Sequence, residues 1–299
     1  MPKTVGVVGI GAMGQGVANS LIRAGFAVTG YDVSADVRAK FSAAGGIACD
    51  RLADLGQRSD VVIILVVNAA QTEQVLFGTD GLASTLKAGS VVIASSTVAP
   101  AFAEAMAKRL EEQGIAMIDA PVSGGVVGAA AGKLTIMGSG PQSAYDACKD
   151  VFDAYAAKVY RFGEQVGLGS KVKLINNLLC GVHIAAATEA MALAKRQGIE
   201  PQLLYDVITN SAGNSWAFQD RMPHVIANDF APVTALNIFV KDLGLVLDMA
   251  DSSQFVAPLT KCAHRMFLSA AEAGHGLADD TSVIKIFDDV GRVRSVLAP

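Results

Sequence analysis

The sequence predicts two domains of different class: an α/β domain built on a parallel sheet, then an all-helical domain. Two observations carry this. Apolar, β-branched runs alternate with alanine-rich, helix-period segments across the first half. After Gly169 the strand signals fade, and one long helix-like run leads into a series of further helix patterns.

The strands are read first. "TVGVVGI" (4–10), "AVTGYD" (27–32), "VVIILVV" (61–67) and "SVVIASS" (90–96) are apolar without alternation, as expected for strands covered on both faces. Helix-period segments at 13–24, 35–44, 71–77 and 100–113 separate them. The runs "AMIDAPV" (116–122) and "KLTIMGSG" (133–140) are expected to extend the sheet, and "KVYRFG" (158–163) to end it. Residues 170–196 then form a helix of about 40 Å at 1.5 Å rise per residue, closed by Gly198 and Pro201. Helix patterns follow near 201–211, 215–227, 237–252, 258–273 and 279–288. The expected domains are therefore 1–164 and 165–299.

Composition narrows the function classes. The 299 residues are 52% hydrophobic and carry a formal net charge of −4, with the cations scattered. That argues against a nucleic-acid or anionic-membrane surface. Cys49, Cys148, Cys180 and Cys262 are far apart and read as reduced thiols of a cytoplasmic protein. The four histidines are equally dispersed, so no metal site is expected. No run of about 18 uninterrupted apolar residues calls for a membrane span.

"GIGAMG" places Gly9, Gly11 and Gly14 in G-x-G-x-x-G spacing, directly after a strand and opening a helix. Gly9 permits the tight turn, Gly11 lets the backbone approach a pyrophosphate, and Gly14 lets the helix pack close to the strand. The helix N-terminus then faces the phosphates. Asp32 ends the second strand, where a carboxylate bonds ribose hydroxyls and repels a 2′-phosphate. The expected cofactor is NAD rather than NADP, with Ser34 the one nearby side chain able to soften that exclusion. A glycine turn with no ligand is the plainer reading of the motif alone; both flanks and the acid outweigh it. A methyltransferase also seats its cofactor on such a turn, and the second half of the chain decides against it.

That half contains "GLGSKVKLINN" (167–177). In a helix, Lys173 and Asn177 share a face, while Lys171 lies about 200° from Lys173. Lys173 can act beside an amide; Lys171 is expected to be a solvated charge. Amides inside an apolar helix need partners, which sets Asn176 and Asn177 apart from ordinary packing residues. "DAPVSGG" (119–125) ends in Ser123, Gly124 and Gly125, able to present N–H groups and a hydroxyl to an anion, or simply to make a polar turn. Lys241 sits in an otherwise apolar helix; a salt bridge to Asp242 or another acid is its structural alternative.

These motifs resemble those of the β-hydroxyacid dehydrogenase family, which includes 3-hydroxyisobutyrate dehydrogenases and tartronate semialdehyde reductases. "GIGAMGQGVANSL" (9–21), "DAPVSGG", "GLGSKVKLINN" and "KDLGLV" (241–246) match in order across nearly the whole chain, and "SSTVAP" (95–100) resembles the family's segment beside the nicotinamide. The resemblance implies a Rossmann-type NAD-binding domain and a helical substrate and oligomerisation domain. It places the catalytic lysine on Lys173, the substrate-contacting asparagine on Asn177 and the substrate carboxylate against Ser123, Gly124 and Gly125. Lys241 is implied near both substrate and nicotinamide. Ala12, Met13, Val67, Asn68 and Thr97 join Gly9, Gly11, Gly14 and Asp32 as cofactor contacts.

The implied reaction moves a hydride between a small hydroxy acid and NAD, with Lys173 exchanging the hydroxyl proton. Such a base needs a lowered pKa, which burial and nearby positive charge supply. "GVHIAAATEAMALA" (181–194), "AGNSWAF" (212–218), "NIFVKDLGLV" (237–246) and "SVIKIF" (282–287) resemble the family's L-threonate group. Asn214 and Ser215, with His183 and Trp216, could line a pocket for a polyhydroxylated four-carbon acid; His183 reads equally as a helix residue with a satisfied partner, and Trp216 more readily as core. Tartronate semialdehyde and 3-hydroxyisobutyrate are the alternative substrates. An imine reductase is disfavoured by Lys173, and a non-catalytic NAD-binding regulator by Ser123 and the Lys173–Asn177 pair. The apolar helical half is expected to form a homodimer or homotetramer.

Lys173→Ala lowers kcat by about 10²–10⁴-fold, whereas Lys171→Ala leaves it near normal, measured as initial rates of NADH formation.

Overall fold

The computed structural model describes residues 3–297. Contacts divide the chain into a unit ending at Lys173 and one beginning at Leu174. In the first, strands β1 (Thr4–Val8), β2 (Ala27–Tyr31), β3 (Ile47–Ala48), β4 (Val61–Ile64), β5 (Val91–Ala94) and β6 (Ala116–Asp119) form an all-parallel sheet. Its order is β3-β2-β1-β4-β5-β6, the doubly wound arrangement whose ligand crevice opens where the order reverses, beside β1 and β4. Within each central strand, alternate residues serve opposite faces. Val61, Ile63, Val91 and Ile93 enter one buried cluster; Val62, Ile64, Val92 and Ala94 enter the other. Burial on both faces explains the unbroken apolar runs.

The helices of this unit are α1 (Ala12–Arg23), α2 (Ala35–Ala43), α3 (Leu52–Arg58), α4 (Ala69–Phe77), α5 (Pro100–Glu111), α6 (Gly125–Ala131) and α7 (Gln142–Tyr155). β3, α3, α6 and α7 are absent from the sequence reading; β3, α3 and α6 are too short to display a period, whereas α7 does display one, with Ala144, Tyr145, Cys148, Val151, Phe152 and Tyr155 buried along one face.

One expectation is corrected. Residues 133–140 and 158–163 do not extend the main sheet. With β7 (Val122–Ser123), β8 (Leu134–Gly138) and β9 (Ala156–Arg161) form a separate three-stranded sheet, β7-β8-β9. β7 runs antiparallel to β8, and β8 parallel to β9. The cause lies in the chain after β6. Pro121 has no N–H to give a ladder, and Gly124 (φ 123°) and Gly125 (φ 61°) turn the backbone through conformations that favour glycine. Hydropathy alone cannot assign a strand to one sheet or another.

α8 (Leu168–Arg196) crosses the division between the units as one continuous helix. Among the described residues it is the one helix long and apolar enough to span a bilayer by length and composition, yet 44% of that apolar window is buried within the fold. Ile184, Ala185, Ala187 and Met191 enter the helical cores, so part of that apolarity is core packing. The second unit continues with α9 (Pro201–Thr209), α10 (Trp216–Ala227), α11 (Leu236–Ser252), α12 (Pro258–Ala270) and α13 (Val290–Leu297). The segment expected as a helix at 279–288 is a 3-10 helix, Asp280–Asp288. α12 ends in a wide turn where Gly274 has φ 93°.

This unit buries two adjacent carboxylates. Asp279 accepts from the N–H groups of Val233, Thr234 and Thr281 and from the Thr281 hydroxyl. Asp280 faces the Arg221 guanidinium, whose Nε lies 3.1 Å from Oδ1 and 3.2 Å from Oδ2. Burial nevertheless pushes Asp280 up to about 7. A carboxyl whose folded pKa lies above its unfolded value takes up a proton on folding, so its contribution to stability falls as pH rises from about 4 to about 7 and then levels off. The melting-temperature difference between wild type and Asp280→Asn should therefore shift against the wild type by several degrees between pH 5 and 8.

Candidate active site

The nucleotide end is assembled at the C-terminal edge of β1. Gly9 adopts φ 83°, and a Cβ there would lie 2.9 Å from the Leu65 carbonyl oxygen. Its N–H donates to the Tyr31 carbonyl (2.9 Å), tying the turn to β2. At Gly14 a Cβ would fall 1.9 Å from the Gly9 carbonyl oxygen, so the start of α1 can approach the turn only with glycine. Gly11 differs: it has ordinary φ (−64°), and a Cβ would meet no atom within 4 Å. Nothing in the protein requires glycine at 11; a group brought to the backbone does. No side chain caps α1, which leaves the first-turn N–H groups of Ala12 and Met13 available to phosphate oxygens. These residues fit a dinucleotide pyrophosphate.

Asp32 follows β2 and is half-buried. Its Oδ1 accepts the Ser34 N–H (3.0 Å), which orients the carboxylate, while Ser34 Oγ caps α2. Sequence reasoning missed Arg38, whose guanidinium donates to the carbonyl oxygens of Asp32 (2.8 Å) and Val33 (3.4 Å) and lies 3.5 Å from Asp50. An arginine beside this acid is what a 2′-phosphate uses; here main-chain carbonyls hold it. Val67 and Asn68 follow β4. The Val67 N–H donates to Gln71 Oε1, and Asn68 caps α4 through the Gln71 N–H. Thr97 lies just past β5, half-buried, next to Ser96, whose hydroxyl donates to the Val66 carbonyl.

Ser123 ends β7, and Gly124 and Gly125 open α6, which no side chain caps. A Cβ on Gly125 would meet no atom within 4 Å. The turn thus presents uncapped N–H groups beside a half-buried hydroxyl, suited to a carboxylate.

The first turn of α8 is fixed by a residue that sequence reasoning quoted but did not single out. Asp119, at the end of β6, is 1% exposed. It accepts from the Gly167 N–H (3.1 Å), the Ser170 N–H (2.8 Å), the Ser170 hydroxyl (2.8 Å) and the Ser139 hydroxyl (3.5 Å). Burial pushes this carboxyl up, and the four donors oppose that shift. Since an ionised carboxylate only accepts, four donors suit the charged form. At Gly169 a Cβ would lie 2.5 Å from the Met137 carbonyl oxygen and 2.6 Å from that of Asp119. The glycines of "GLGSK" therefore let the helix start against two strand ends. Lys173 stands three residues beyond Ser170 and is half-buried; Lys171 faces elsewhere, 3.9 Å from Glu104.

One turn beyond Lys173, Asn177 is 5% exposed. Its Nδ2 donates to Asp242 Oδ2 (2.7 Å), and its Oδ1 accepts from Asn176 Nδ2 (3.1 Å). Lys241 Nζ contacts Asp242 Oδ1, so the salt bridge weighed for Lys241 is formed. Asn214 donates to the Thr209 carbonyl (3.3 Å), while its Oδ1 is buried with no hydrogen-bond partner. Ser215 caps α10 by accepting the Phe218 N–H (3.0 Å). Trp216 is 65% exposed and belongs to no core, and His183 is exposed.

Comparisons with known proteins agree on the family. Residues 4–163 match the NAD binding domain of 6-phosphogluconate dehydrogenase, and residues 167–287 the NAD-binding domain of NADP-dependent 3-hydroxyisobutyrate dehydrogenase. The chain is 57% identical over 290 residues to L-threonate dehydrogenase of Cupriavidus necator, covering 97% of this chain and 98% of that one. It is 32% identical to the mitochondrial 3-hydroxyisobutyrate dehydrogenase of Rattus norvegicus, covering 94% and 86%. A solved structure from Salmonella typhimurium, described as 3-hydroxyisobutyrate dehydrogenase, superposes with a TM-score of 0.91 at 49% identity over 95% and 99% of the two chains. Solved imine reductases at 18–23% identity share the fold.

Fold, glycine turn and relatives together define an NAD-dependent oxidoreductase acting on the CH–OH group of a small hydroxy acid. The chain belongs to the β-hydroxyacid dehydrogenase family.

The two glycines should separate experimentally. Gly11→Val keeps the wild-type melting temperature but weakens NADH binding at least about tenfold, read by fluorescence titration. Gly14→Ala lowers stability by roughly 1–3 kcal/mol, read by thermal melting.

Proposed function

We propose that the protein oxidises L-threonate, or a closely related four-carbon aldonate, with NAD. The observation that carries the substrate is the 57% identity, over nearly the full length of both chains, to an enzyme named for L-threonate; the matching enzyme of Escherichia coli K12 is 50% identical. Ser215 has a capping role that competes with any substrate contact.

The division of labour follows from the side chains. The uncapped turn Ser123–Gly125 receives the substrate carboxylate. Lys173 accepts the hydroxyl proton on oxidation and returns it on reduction. Asn177, one turn along α8, donates to the reacting oxygen as its proton leaves. The Gly9–Gly14 turn and Asp32 would hold NAD, which would supply the hydride acceptor when bound, and Lys241 would contact substrate and cofactor. Residues 1–164 act as the cofactor domain and 165–299 as the substrate and oligomerisation domain. The protein works in the cytoplasm as a homo-oligomer. Ile175, Leu179 and Leu193 follow one face of α8 and are each more than half exposed, an apolar stripe that a second copy would cover.

A second reading, 3-hydroxyisobutyrate oxidation, has its own support in the description of the Salmonella typhimurium structure. Initial rates of NADH formation with L-threonate, D-threonate, both erythronates, 3-hydroxyisobutyrate and glycerate, each with NAD and NADP, decide between them. The expected result is a rate with L-threonate and NAD at least about tenfold above the others, since a site built to bond hydroxyls rejects acids that lack them. A higher rate with 3-hydroxyisobutyrate discards the four-carbon reading. Equal use of NADP shows that Asp32 does not exclude a 2′-phosphate.

A further inference from the structure

We infer that Asp242 is a positioning residue for the reaction: it fixes the side-chain amide of Asn177 so that a donor, not an acceptor, is left for the substrate oxygen. The inference rests on the reading of Asn177 as the residue that meets the reacting oxygen.

An asparagine amide can sit in two orientations that differ only by exchange of N and O. If Asn177 turned its oxygen toward the reacting centre, it could not stabilise an oxygen that gains negative charge as its proton leaves. Its hydrogen-bond partners choose the orientation. Asp242 is 4% exposed, and an ionised carboxylate only accepts. The Asn177 atom 2.7 Å from Asp242 Oδ2 is therefore the nitrogen. The amide oxygen is in turn engaged by Asn176 Nδ2. Of the two N–H bonds of Asn177, one is committed to Asp242 and the other remains for the substrate.

The local structure holds this arrangement in place. At Gly181, one turn beyond Asn177, a Cβ would fall 2.8 Å from Leu243 Cδ2. Glycine there leaves room for the side chain of Leu243, the residue after Asp242. The other Asp242 oxygen contacts Lys241 Nζ, which gives the buried carboxylate a cationic partner. Lys241 and Asp242 therefore act as a unit: the ammonium holds the carboxylate, and the carboxylate holds the amide.

A double-mutant cycle in kcat tests this, using Asn177→Ala, Asp242→Leu and the double variant, with L-threonate and 3-hydroxyisobutyrate as probes and NADH titration alongside. If Asp242 acts through Asn177, Asp242→Leu lowers kcat at least about tenfold, with KM less affected, and the double variant is no slower than Asn177→Ala alone. Asp242→Asn keeps an oxygen that can accept from Asn177 and loses less than Asp242→Leu; it also replaces that variant in the cycle if the leucine protein does not fold. Additive losses in the double variant overturn the inference and leave Asn177 in its role. Near-normal kcat in Asn177→Ala removes the reading of Asn177 itself, and this inference with it.

Discussion

The buried carboxylate of Asp119 is the constraint on which the rest of the site depends. Three elements converge on it: β6, whose last residue it is, the turn after β8 through Ser139, and the first turn of α8 through Gly167 and Ser170. A helix whose first N–H groups are held at one point cannot slide or rotate, so Lys173, three residues later, takes a fixed direction. Two residues past Asp119 the chain turns at Pro121 toward Ser123, Gly124 and Gly125. The same strand end thus anchors both the uncapped turn at Ser123–Gly125 and the helix that carries Lys173. The close approach at Gly169 follows from this, and the family's glycine spacing before the lysine has a steric origin here.

A second buried carboxylate repeats the device in the helical unit. Asp242 gathers Asn177 and Lys241, as Asp119 gathers Ser170, Gly167 and Ser139. Each acid is nearly inaccessible, and each is met by donors rather than left unpaired, as a charge at that depth requires. In both places a buried acid fixes the helix segment or side chains around it. Asp280 differs in its partner, a single guanidinium, and burial raises its pKa as it does that of Asp119.

Much of this was legible in the sequence. Strands buried on both faces announce themselves as unbroken apolar runs, and the glycine turn announces itself by its flanks. Lys173 was separable from Lys171 by helical period alone. The positioning acids were not. Asp119 is separated by 51 residues from Ser170, and Asp242 by 65 from Asn177; no local pattern encodes such pairings. Asp242 stood next to a lysine already singled out, which was the only available sign. The second sheet was missed for the same reason, since strand hydropathy does not record the partner. Arg38, one helical turn into α2, carried no motif at all.

Chemical rescue of Lys173→Ala by a small primary amine tests the central claim most directly. The account predicts that kcat of this variant is far below wild type and rises with the concentration of unprotonated ethylamine, while NADH binding is unchanged. Wild-type turnover in Lys173→Ala, indifferent to added amine, would contradict the claim that this lysine moves the substrate proton.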